Sequence, residues 1–116
     1  MSGDFSFMIS EQVRQRFLRD PLPIQLGGLA ADLARVASFG ENPANHQAVA
    51  SLLEGSKYFA EWIAPDAPLE TQAVLAELQV TLALWERRWL KGVKVPTMQV
   101  EAEQQSAALL SLAGLM

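Results

Sequence analysis

Residues 69–90 read LETQAVLAELQVTLALWERRWL. Leu75, Leu78, Leu82, Trp85 and Trp89 recur at spacings of three and four, so they share one face of a helix. Ala73, Ala76, Val80, Ala83 and Leu84 occupy much of the remaining circumference. A helix apolar on most sides needs cover on most sides. The stretch therefore predicts either the central helix of a bundle or a helix shared between subunits.

Working outward, Pro and Gly divide the rest of the chain into segments that each carry a helical rather than an alternating pattern. A short charged helix is expected from Ser10, as N-cap, to Arg19, ending before the Asp20-Pro21-Leu22-Pro23 run. The next starts near Pro23 and runs through Leu26, Leu29, Leu33 and Val36 to Phe39, with Gly40 as a left-handed cap and Asp32 and Arg35 on the wet side. Asn42-Pro43 opens a third helix with Val49, Leu52, Leu53, Phe59, Ala60 and Ile63 buried, closed by Pro65. The long helix follows from Pro68 to Gly92. A last one, capped by Thr97, runs from Met98 to about Ala113 with Ala102, Leu109, Leu112 and Ala113 on one side. The expected fold is all-α: a single domain over residues 1–116, a small antiparallel bundle of four main helices plus a short N-terminal one. The short connections favour antiparallel neighbours.

Composition narrows the function classes. The chain has no Cys, so thiol nucleophiles, thiolate clusters and disulfides are excluded. A net charge of −4 argues against a nucleic-acid partner, since that affinity is built from clustered Lys and Arg. No apolar run approaches the roughly 20 residues that span a bilayer, and the start Met1-Ser2-Gly3-Asp4 carries no basic leader, so neither membrane insertion nor secretion is expected. The charge is uneven. Glu41, Glu54, Glu61, Asp66, Glu70 and Glu77 are opposed only by Lys57, whereas Arg87, Arg88, Lys91 and Lys94 gather at the end of the long helix. Regions of opposite sign invite contact within or between chains.

Reactive constellations are weak. His46 is the sole imidazole, with amides rather than carboxylates beside it, and no Glu-x-x-His spacing occurs for a carboxylate-bridged metal pair. Glu54 and Glu61 share a face with Lys57 between them, as a catalytic carboxylate pair would, but a solvated face with local ion pairs is the better reading because nothing marks either acid as desolvated. Gly27-Gly28 lacks the flanking pattern of a phosphate loop. With Ala30, Ala31 and Ala34 it reads as a ridge of small residues that admits another helix, Gly55 serving opposite it. The basic cluster suits a helix C-terminus, where cations meet free carbonyls.

The aromatic set has more to offer. Tyr58 and Trp62 lie one turn apart on one helix, Trp85 and Trp89 one turn apart on another, with Arg88 placed to stack on an indole. They could pack a core, an interface or an apolar ligand. With Leu82, Leu109 and Leu112 they form the candidate ligand or interface residues; no catalytic or metal-binding residue and no cofactor is expected. Leu109, Leu112, Leu115 and Met116 continue an apolar side to the last residue.

The stretch LGGLAADLARVASFGENPANHQAVASLLEGSKYFAEWIAP, residues 26–65, together with LAELQVTLALW, residues 75–85, resembles small all-helical cyanobacterial proteins of unknown function. The resemblance covers about half the chain. It implies a cytoplasmic protein and transfers no active-site residue. The expected function is a non-enzymatic association module acting as a homodimer or on another protein; the alternative is a binder of a small apolar or aromatic ligand between the Trp-bearing helices, and an enzyme comes third.

Overall fold

A computed structural model of the chain describes residues 11–114. Ser10, expected as the first N-cap, and the apolar terminal pair Leu115 and Met116 lie outside those residues. Helix α1 covers residues 11–18, α2 Leu22–Phe39, α3 His46–Ile63, α4 Leu69–Leu90 and α5 Met98–Leu112. Short 3-10 turns, Pro43–Asn45 and Ala64–Asp66, lead into α3 and out of it. No strand occurs among the described residues. The all-α bundle expected from the sequence is the fold observed.

Of the two places expected for the long helix, the centre of the bundle is not the one observed. The centre is α2, which packs on α5 along one side and α3 along the other, while α4 packs on α3 and meets α5 only glancingly. In chain-packing order the row runs α5, α2, α3, α4. The Cα envelope measures 40 × 35 × 20 Å, and its least dimension is about two helix diameters. A slab two helices thick covers each helix on part of its circumference, and among the described residues α4 is covered mainly on the face it turns to α3.

Local chemistry explains the element ends. Pro21 precedes α2 and Pro23 sits in its first turn, where a missing N–H costs nothing. Gly40 closes α2 in the right-handed conformation (φ −66°) rather than as the left-handed cap expected. Glycine is required there for room. A Cβ would stand 2.9 Å from the Val36 carbonyl oxygen and 3.3 Å from Met98 Cε at the start of α5. Asn42 does cap, accepting the Ala44 N–H at 2.9 Å, but it caps the 3-10 turn, and α3 begins three residues later than the Asn-Pro pair suggests. Thr97 precedes α5 without a side-chain capping bond. At the end of α4 the reading holds: Gly92 adopts φ 72°, its N–H bonds to the Trp89 carbonyl, and the Val93 N–H reaches back to the Arg88 carbonyl, so the last turn is closed.

The core is one cluster. Leu26, Leu29, Ala30, Leu33 and Val36 of α2 meet Val49, Leu53, Ala60 and Ile63 of α3, Leu75, Leu78, Leu82 and Trp85 of α4, and Met98, Ala102 and Leu109 of α5. Small residues bring α5 close to α2: Ala30 and Ala102 are fully buried, and Ser106 Oγ donates to the Ala30 carbonyl at 2.7 Å. The alanine ridge expected on α2 is thus used by α5 through Ala30. Ala31 and Ala34 stay exposed, and Gly55 has open space where its Cβ would be, so it admits no neighbour. Phe17 of α1 ties the first helix down, stacking on Phe59 at 4.3 Å between ring centres and lying beside Gly28. Asp32 is half-buried rather than wet; burial pushes its carboxyl above the ordinary value, partly offset by the Arg35 guanidinium 2.9 Å away. Since the folded chain holds that proton to higher pH than the unfolded one, this carboxyl favours folding on the acid side and opposes it once ionised.

Ser56 is fully buried on α3, and its hydroxyl has no hydrogen-bond partner. A buried hydroxyl without a partner costs about 1–3 kcal/mol of desolvation. Ser56→Ala is therefore expected to raise stability by about 1 kcal/mol, measured as a higher urea midpoint at unchanged slope. A lower midpoint would mean that the hydroxyl has found a partner.

Candidate functional site

The aromatic residues that the sequence groups together are divided by the fold between the two ends of α3. At its C-terminal end Tyr58 and Trp62 stack at 5.7 Å, and Trp62 also meets Phe17 at 5.9 Å and Phe59 at 5.7 Å. At its N-terminal end Trp89 stacks on His46, ring centres 4.9 Å apart and planes 13° from parallel. Sixteen residues of helix, roughly 24 Å, separate the two groups. Trp85 belongs to the core between them, 4% exposed.

The other candidates divide in the same way. Leu82 and Leu109 are fully covered within the single chain, Leu112 is half-buried, and Arg88 is exposed. Tyr58 opens on a groove of about 500 Å³ between α3 and α4, lined also by Glu54, Lys57, Glu61, Glu86 and Leu90. Trp89 opens on a different cleft of about 260 Å³, beside Glu41, His46 and Lys94. The Trp-bearing helices therefore do not enclose one shared aromatic pocket.

Two contacts at these places were not readable from spacing. His46, exposed in the first turn of α3 as its position suggests, lays its ring on Trp89 while its carbonyl accepts the indole N–H at 2.8 Å. Lys57 does not serve Glu54 and Glu61 on its own helix; it crosses to α4 and pairs with Glu86. Both are links between helices, and both partners lie far off in sequence. No group of three or more metal-ligating side chains is present among the described residues, nor is any described helix long and apolar enough to cross a membrane.

The feature that the sequence marks and the described residues leave uncovered is the outward face of α4. Thr71, Leu75, Leu78, Leu82 and Trp85 form its buried seam. On the reverse, Leu69 is 82% exposed, Val80 64% and Leu84 54%, with Ala73, Ala76 and Ala83 exposed among them. Leu69, Ala73, Ala76, Val80 and Ala83 repeat at alternate steps of four and three, which keeps them in one stripe along the helix. Three alanines in such a stripe allow another helix to come close. Arg87 and Lys91 end the stripe, and Glu70, Glu77 and Arg88 flank it.

Compared with known protein families, with curated proteins and with solved structures, the chain matches none.

Proposed function

We propose that this protein is a non-enzymatic association module whose working form is an oligomer, most simply a homodimer in the cytoplasm. The observation that carries the reading is the outward stripe of α4. A contiguous run of exposed Leu, Val and Ala along a helix of 22 residues is uncommon on a free surface and is typical of one that meets a protein. The test is light scattering over a dilution series. A dimer mass at tens of micromolar is expected, falling toward the monomer on dilution, with a melting temperature that rises with concentration. A strict monomer at every concentration would end the self-association reading.

A second reading, a small aromatic ligand beside the stacked His46–Trp89 pair, is favoured by the cleft that opens there. It requires that a bound ligand change Trp emission and raise the melting temperature. A screen that moves neither would remove it.

A further inference from the structure

We infer that two copies of the chain pair through α4 in antiparallel sense, the two helices crossing beside Val80. The inference rests on the association reading above and adds to it an orientation and a register. Its basis is the distribution of charge around the apolar stripe. Glu70 and Arg88 are about five full turns apart and so lie on the same flank of the stripe, one near each end, with Glu77 between them. In an antiparallel pair each flank meets its own copy, reversed. The acidic beginning of one helix then lies against the basic end of the other, twice, by symmetry. A parallel pair would instead set each flank against the opposite one, so that no Glu70 meets an Arg88, and would bring the Arg87 of both copies together at the centre of the stripe, which is repulsive.

The apolar positions select the same register. With the twofold axis beside Val80, Ala76 lies level with Ala83 of the second copy and Leu69 with its Leu90. Glu70 then lies within about one residue rise, 1.5 Å, of the second copy's Arg88. Alanine therefore faces alanine on either side of the axis, where the backbones come closest, and leucine faces leucine at the rims. The other flank adds no opposing charge: it carries Gln72 and Gln79, and its one acid, Glu86, is already paired with Lys57. The charges at the two ends of the stripe match in the antiparallel sense.

Because the native chain has no Cys, single cysteines report the geometry without background. Val80→Cys, Ala76→Cys, Ala83→Cys and, on the exposed side of α5, Val100→Cys would each be made in the full chain, checked for native helicity, and oxidised mildly. A disulfide needs its two Cα atoms within about 7 Å. The inference expects Val80→Cys to convert largely to a covalent dimer. Ala76→Cys and Ala83→Cys should stay uncrosslinked alone, yet join as a mixed pair when the two variants are combined. Self-crosslinking by Ala76→Cys and Ala83→Cys would show parallel pairing and overturn the inference. A dimer by light scattering in which Val100→Cys crosslinks and Val80→Cys does not would overturn it too, while leaving association standing. A monomer under all conditions would overturn both.

Discussion

Trp85→Ala is expected to cost about 3–5 kcal/mol, among the largest losses available to a single side chain in this protein. The indole is 4% exposed and sits in the seam that joins α4 to the core, next in line after Leu75, Leu78 and Leu82. Truncating it removes the burial energy of a large aromatic group and leaves a cavity in a slab only two helices thick. Domains of this size hold about 5–15 kcal/mol in total, so much of the stability goes with one residue. Urea unfolding followed by circular dichroism, at one fixed protein concentration, measures the loss. A change under 1 kcal/mol would place Trp85 outside the core. Trp89→Phe is the informative partner, since it keeps a six-membered aromatic ring but loses the pyrrole half of the indole together with the N–H that reaches the His46 carbonyl. It should cost about 1–2 kcal/mol, the net value of one hydrogen bond plus the packing of the lost ring atoms.

Leu33→Ala is expected to cost about 2–5 kcal/mol, whereas Leu84→Ala should change stability by no more than about 0.5 kcal/mol when measured at high dilution. Both replace leucine by alanine in a helix, so intrinsic propensity nearly cancels between them. What differs is position. Leu33 is fully buried in α2 between α3 and α5, and Leu84 is 54% exposed on the reverse of α4. The pair tests which helix is the centre. If Leu84→Ala were as damaging as Leu33→Ala in the dissociated chain, α4 would have to be covered by its own molecule, contrary to the packing described. Repeating the comparison at high concentration adds the contribution of association, and the cost of Leu84→Ala should then rise.

How much of this was legible in sequence depends on how local each cause is. The existence and length of the long helix, its buried seam and its Gly92 cap follow from periodicity and from the φ that glycine supplies, and all three are present. The packing order was not legible. The apolar residues of α4 say how much surface wants cover, but nothing in their spacing says that Gly92–Thr97 would carry α5 past α4 to lie on α2. Gly40 was misread for a similar reason. A glycine after a helix usually marks a positive φ, and here it marks a right-handed turn in which a Cβ would stand 2.9 Å from the Val36 carbonyl oxygen, with Met98, more than fifty residues on, at 3.3 Å. Lys57 was assigned to carboxylates within one turn because helical spacing reveals only those; its partner is Glu86, on another helix. The aromatic set failed as a set because Trp62 and Trp89 lie at opposite ends of α3. Its members take separate places: Trp85 in the core, Trp89 at a junction between helices.

The bond from the Trp89 indole to the His46 carbonyl has a further consequence. It fastens the last turn of α4 to the first turn of α3, at the end where a helix ordinarily frays. The hairpin through Ala64–Asp66 fastens the other end. The rod between them is therefore held along its length, and under the association proposed above its outward stripe would meet a partner without first having to be ordered. A surface in that state loses little conformational entropy on association, so a modest apolar area can give useful affinity.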